Sequence, residues 1–226
     1  MTHCLMGIDI GSYESKGVLT DISGKVLANA ALKHELQFLK PGFVEQDVEK
    51  VWWGEFVELS KILIAQAQIN AKDVVSIGLS GVYSMVPVDA HANPLRSGGI
   101  MYGVDTRSVV EISEVLDRHR AEMIFKRTGN SLSAQSMGPK ILWLKKNEPE
   151  VFKRAHSFLP CANFIAARLT GGFLSIISRQ DSSAPATSLR NSLGQRIYVR
   201  ALLIRNFSKV VSIGSGTRSS LRPDSA

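Results

Sequence analysis

Between residues 7 and 16 the chain reads Gly7-Ile8-Asp9-Ile10-Gly11-Ser12-Tyr13-Glu14-Ser15-Lys16, placing an acid, a glycine, a hydroxyl and an amine within one short stretch. Such a set suits a phosphate. Gly11 permits close approach of the backbone to a ligand. Turn N–H groups and the Ser12 hydroxyl can donate to phosphate oxygens, and Lys16 adds a compact positive charge. Asp9 ends an apolar run, and a buried carboxylate there is costly unless it faces a cation. Mg2+ prefers oxygen ligands and keeps several waters, so Asp9 is expected to act on it through water. The plainer alternative is a hairpin with a polar turn. The spacing matches neither a Walker loop nor a dinucleotide fingerprint.

A second set is Asp105 with Arg107, together with the loop carrying Gly81, Tyr83 and Ser84. A polyol needs donors and acceptors at fixed positions, and a carboxylate paired with a guanidinium supplies both. The alternative makes Asp105 the N-cap of a helix over 106–118, with Arg107 a solvated neighbour. Trp52, Trp53 and Trp143 read as core rather than as ligand platforms. His3, His34, His91, His119 and His156 lack metal-ligand spacing, and Cys4 and Cys161 stand too far apart to suggest a zinc site or a disulfide framework.

The elements that must position these residues follow from hydrophobic period. Leu5 to Ile10, Gly17 to Ile22 and Val26 to Leu32 read as three strands of an antiparallel meander, with a polar loop running to Lys16. Pro41-Gly42 breaks the chain, and Asp47 is the expected N-cap of a long helix whose buried face is Val48, Trp52, Phe56, Leu59 and Leu63. Val74 to Leu79 suits a strand adjoining the first three. Met85 to Val88 and Gly99 to Tyr102 read as further short strands. Helices are expected around a Val109, Ile112 and Leu116 stripe, after Pro139, and from Cys161 to Leu169, where Gly171-Gly172 stops the last one. This order predicts an α/β domain with a mixed sheet.

The net charge of +7 is unevenly placed. Residues 174–226 hold eight basic and two acidic residues, whereas residues 1–173 hold 19 and 18, so the basicity belongs to the tail. That tail has no Glu, twelve Ser and no hydrophobic period. It carries no nucleic-acid reader motif, and a nucleic-acid partner is not expected. No apolar run reaches the roughly 18 residues of a membrane span, so no membrane partner is expected either. The N-terminus lacks a basic signal region. A cytoplasmic protein is the expectation.

Asp9-Ile10-Gly11-Ser12 with Lys16 resembles the first phosphate motif of the actin-like ATPase superfamily, and four further stretches resemble the FGGY carbohydrate kinases in their xylulokinase-like form. These are Gly42-Phe43-Val44-Glu45-Gln46-Asp47 with Trp52-Trp53, Ile77-Gly78-Leu79-Ser80-Gly81, Tyr102-Gly103-Val104-Asp105-Thr106-Arg107, and Pro139-Lys140-Ile141-Leu142-Trp143-Leu144. Where xylulokinases usually show Gln-Met-His-Gly, this chain reads Val82-Tyr83-Ser84-Met85. The resemblance covers about residues 5–173. It implies an actin-like, ribonuclease H-like domain with a mixed five-stranded sheet, and ATP-dependent phosphorylation of a sugar or polyol hydroxyl, a pentulose such as xylulose being favoured. ATP and Mg2+ are the implied cofactors. Asp9 would serve the metal, Gly11, Ser12 and Lys16 the phosphates, and Gly81, Tyr83, Ser84, Asp105 and Arg107 the sugar.

The resemblance also implies what to look for beyond residue 173. In these kinases a second lobe supplies the Asp that accepts the hydroxyl proton and most of the adenosine pocket. No Gly-Gly-x-Asp-like segment is present, so no catalytic base is assigned here. The loss of Glu and gain of Ser and Arg near residue 174 lead us to expect a frameshifted or disordered tail. The chain would then be an N-terminal lobe inactive alone. The alternative is a non-catalytic remnant or binding module. A single lobe exposes an apolar inter-lobe face, so self-association or a separately encoded second lobe is expected as its partner.

Overall fold

The computed structural model describes residues 3–173. The tail expected to be aberrant lies outside them.

The chain opens on three strands, β1 (Cys4–Ile10), β2 (Glu14–Asp21) and β3 (Val26–Lys33), paired antiparallel in sequence order. Alternation fixes their register. Cys4, Met6, Ile8 and Ile10 of β1 point into the core, and Leu5 and Asp9 point out of it. A fourth strand, β6 (Val74–Gly81), lies parallel to β1, giving the mixed order β3-β2-β1-β6. A helix precedes β6 and leads the chain back to pair parallel with β1.

That helical segment begins as expected at Asp47, whose side chain accepts from the Lys50 N–H at 2.8 Å. The first turns, Val48–Glu55, are π-helical and run on into α1 (Phe56–Ala67). Val48, Trp52, Phe56, Leu59 and Leu63 are all fully buried. The stripe docks on β2 at Gly17, where an added Cβ would come within 2.8 Å of Leu63 Cδ1.

The second sheet was only partly expected. β4 (Gln37–Lys40), β5 (Phe43–Asp47), β7 (Ser84–Val88), β8 (Gly98–Met101) and β9 (Ser157–Leu159) pair in the order β4-β5-β8-β7-β9, all antiparallel. The mixed sheet itself therefore has four strands among the described residues. The two short strands read at 85–88 and 99–102 belong to the second sheet.

Among the described residues five further α-helices follow α1: α2 (Val109–Arg118), α3 (Ala121–Thr128), α4 (Met137–Asn147), α5 (Pro149–Arg154) and α6 (Cys161–Thr170). α6 is closed by Gly171 at φ 71°, and eight of its ten residues are buried. α2 departs from expectation. Its N-cap is Ser108, so Asp105 does not cap it, and Val109 is exposed while Glu111 is its buried residue. The reason is an ion pair: Lys146 of α4 reaches Glu111 at 3.2 Å and also engages Glu114. Among the described residues no helix is long and apolar enough to cross a membrane.

Candidate functional site

The phosphate-type motif forms a tight turn at the carboxyl end of β1. Strand β2 starts at Glu14, so the loop is only Gly11-Ser12-Tyr13, and Lys16 lies on a strand rather than in the loop. The Gly11 N–H donates to the Glu14 carbonyl at 3.1 Å. A Cβ on Gly11 would sit 2.6 Å from that carbonyl oxygen, so the turn needs glycine. Three carbonyls of the loop are held from one side. Gly11 O accepts from Gln46 Nε2 at 3.1 Å and lies 3.1 Å from His34 Nε2. Ser12 O accepts from Gln46 Nε2 at 3.3 Å, and Tyr13 O accepts from the His34 N–H at 3.0 Å. The Ser12 and Tyr13 N–H groups have no protein acceptor among the described residues.

Asp9 lies beside this turn, opposite Lys16 on β2 and Ser80 on β6. It is exposed. The argument that a buried Asp9 requires a cation is therefore overturned, because strand alternation turns residues 5 and 9 away from the core. Its charge is still felt locally: burial first, and Asp9 second, push the Cys161 thiol well above its ordinary value. Lys16 is exposed and pairs with Glu14 at 3.1 Å. Among the described residues no group of three or more His, Cys, Asp or Glu side chains is gathered to hold a metal. A lone carboxylate beside an amide-lined turn fits a hydrated Mg2+ that takes its other oxygens from water and phosphate.

The second set of residues splits into a recess and a buried ion cluster behind it. Tyr83, Ser84, Met85, Ile100, Tyr102, Gln135, Met137 and Lys140 line the recess. The Tyr83 and Tyr102 rings meet edge to face at 5.6 Å, and burial raises the Tyr83 phenol above its usual value. The Ser84 hydroxyl donates to the Val82 carbonyl at 3.1 Å. Gly81 ends β6 against α6, where an added Cβ would lie 3.1 Å from Cys161 Sγ. That contact leaves no room for a side chain.

Asp105 and Arg107 sit deeper than expected. Asp105 is fully buried and accepts from the Val44 N–H at 2.8 Å, from Arg107 Nη2 at 2.7 Å and from Lys140 Nζ at 3.2 Å. Lys140 also donates to the Asp105 carbonyl at 2.7 Å. Burial lowers the Lys140 ammonium from its ordinary value, and Asp105 partly offsets this. Arg107 bonds Glu45 at 2.8 Å, and Arg96 bonds Glu45 and Glu148. The Arg107 guanidinium also lies over Phe43 at 4.4 Å and Trp143 at 5.0 Å. Lys140, Gln46 and His34 were not singled out from sequence as site residues. Their roles rest on partners distant in the chain, and only the Lys-x-x-Trp and Glu-Gln-Asp signatures signalled two of them.

An antiparallel meander followed, after a helix, by a parallel strand, with its turn at the shared carboxyl end, is the actin-like ATPase fold. Comparison narrows it: the chain belongs to the FGGY family of carbohydrate kinases, whose N-terminal domain profile matches residues 4–189. It is 30% identical over 186 residues to a xylulose kinase of Bacillus subtilis (strain 168), covering 82% of this chain and 36% of that protein. It is 26% identical over 157 residues to a glycerol kinase of Nocardia farcinica, covering 70% and 31%. The crystal structure of a xylulose kinase from Rhodospirillum rubrum superposes with TM-score 0.68 at 26% identity, over 75% of this chain and 34% of that one. The chain thus spans about a third of the length of the relatives it matches.

Proposed function

We propose that these residues form the phosphate-binding turn and part of the sugar pocket of an ATP-dependent kinase acting on a pentulose such as xylulose. The observation that carries this reading is the turn, where two consecutive N–H groups without a protein acceptor among the described residues follow the exposed Asp9 at the joint ends of β1 and β6. ATP would supply the transferable phosphoryl group. In this reading the Ser12 and Tyr13 amides and the Ser12 hydroxyl bind its terminal phosphates, Lys16 adds charge from the neighbouring strand, and Asp9 orients water around Mg2+. Gly11 is what permits the turn to close.

For the sugar, the half-exposed Tyr83 and the buried Lys140 are polar groups lining the recess together with Ser84, and Gly81 lies close to Tyr83 and Ser84 in the chain. Asp105 and Arg107 act from behind, by fixing the Lys140 ammonium and β5. In this reading these residues bind ligand, and none of them is assigned as the acceptor of the hydroxyl proton. Cytoplasmic residence belongs to the same proposal.

Calorimetric titration with MgADP tests the turn, and a coupled ATP-consumption assay with D-xylulose, D-ribulose, L-ribulose and glycerol tests turnover. We expect MgADP binding that Gly11→Ala abolishes. Absence of binding in the unaltered chain overturns the nucleotide reading, and turnover above background would place a proton acceptor within these 226 residues.

A further inference from the structure

We infer that Gln46, locked by Trp52 and by a His34–Glu55 pair, is the positioning residue of the phosphate turn: it holds the loop carbonyls back so that the Ser12 and Tyr13 amides face the ligand. The inference rests on the proposed role of that turn.

In an ordinary tight hairpin the turn uses its own groups. Here only the Gly11 N–H to Glu14 carbonyl bond is of that kind: the loop carbonyls at 11, 12 and 13 accept from Gln46 and from the His34 backbone, far along the chain. A peptide unit whose carbonyl is fixed inward must present the N–H of the following residue outward, because the two bonds lie in one plane and point oppositely. Fixing Gly11 O and Ser12 O therefore aims the N–H groups of Ser12 and Tyr13.

Gln46 can do this only if its amide nitrogen faces the turn. An amide's two ends are normally ambiguous, but the Trp52 indole is a donor only. Trp52 Nε1–H donates to Gln46 Oε1 at 2.7 Å, which leaves Nε2 on the turn side. Gln46 and Trp52 are both fully buried. Trp52 is itself wedged against Gly99, where a Cβ would approach the indole to 2.3 Å. His34 completes the clamp. Its Nδ1 meets Glu55 Oε2 at 2.9 Å, with both side chains largely buried. Nδ1–H donating to that carboxylate leaves the Nε2 lone pair to accept from Gln46 Nε2 at 2.8 Å. The remaining Nε2 hydrogen of Gln46 is directed to the turn, where the Gly11 and Ser12 carbonyls share it.

The test uses the 15N-labelled 226-residue chain and two variants. Gln46→Glu keeps the shape and the bond from Trp52 but sets an oxygen against the loop carbonyls, and His34→Ala removes the second support. In the unaltered chain the backbone order parameters of Ser12 and Tyr13 should be near the ~0.85 of rigid structure, and in Gln46→Glu they should fall to about 0.6 or below. The amides of β1 and β6 should be unchanged. MgADP affinity should weaken about tenfold, as expected for losing the shared hydrogen bond that aims the donors. Should Gln46→Glu fail to fold, His34→Ala decides by the same order parameters. Turn amides as ordered in the folded variants as in the unaltered chain overturn the inference. Loss of turn order in a chain that never binds MgADP supports the clamp and sinks the kinase reading instead.

Discussion

Replacing Asp105 by Asn changes one oxygen to NH2 at the centre of a buried cluster of three cations and three anions: Arg96, Arg107 and Lys140 with Glu45, Asp105 and Glu148. The volume is unchanged, so the effect is electrostatic. Arg107 keeps Glu45, but Lys140 loses its only carboxylate partner among the described residues, and the new NH2 faces either that ammonium or the Val44 N–H. Breaking a buried pair from one side costs about 3–5 kcal/mol. For a domain of this size about 2–4 °C accompanies each kcal/mol, so Tm should fall by roughly 6–20 °C. Lys140→Met should cost less, because burial already disfavours its charge and Asp105 retains Arg107. The double variant Asp105→Asn with Lys140→Met should be more stable than the separate losses predict, the signature of direct coupling. Thermal unfolding followed by far-UV circular dichroism at neutral pH measures all four proteins. A Tm for Asp105→Asn within about 2 °C of the unaltered chain, well under the shift expected for a broken buried pair, would refute the reasoning.

Two further outcomes follow from the geometry. Gly99→Ala should destabilise by about 1–3 kcal/mol, the usual cost of overpacking, and shift the tryptophan emission, because the new methyl would meet the Trp52 ring at 2.3 Å; an unchanged spectrum and Tm would contradict it. The Asp89 side chain, bonded to Asn93 and to the N–H groups of His91 and Asn93, is held below its ordinary value of 3.8. Its stabilisation is complete above that value and lost as pH falls through the lowered one. The Tm gap between the unaltered chain and Asp89→Ala should therefore be constant near neutral pH and narrow only below 3.8, and a gap that narrows already at neutral pH would be inconsistent with this.

What could be read from sequence was whatever a local period encodes. The stripe Val48 to Leu63 names its own buried face and is found as read, whereas the apolar run of β1 signalled a strand but not that Asp9 would face out of the core. Lys16 was misplaced because strand β2 begins with polar residues, Glu14 to Lys16, that carry no strand signal of their own. β4 is wholly exposed, and β5 buries Glu45 and Gln46, so neither shows alternation of apolar and polar residues. Their burial depends on tertiary partners: Arg96 lies 51 residues from Glu45, and Gln46 bonds a turn 35 residues away. Asp105 looked like a helix cap because a helix does follow, but that helix starts late and the carboxylate turns back to Val44. His34 belongs to no spacing motif. Only the fold brings it between Glu55 and Gly11.

Glu45 and Gln46 are neighbours on β5, yet one belongs to the guanidinium network and the other to the loop that ends β1. Consecutive side chains on a strand project to opposite faces, so β5 acts as a two-sided spine. Inserting one residue between Phe43 and Glu45 would exchange the faces, sending an amide among arginines and a carboxylate against backbone oxygens. Length in that strand is thus as strictly constrained as identity, and both halves of the site would be lost by a change that touches neither.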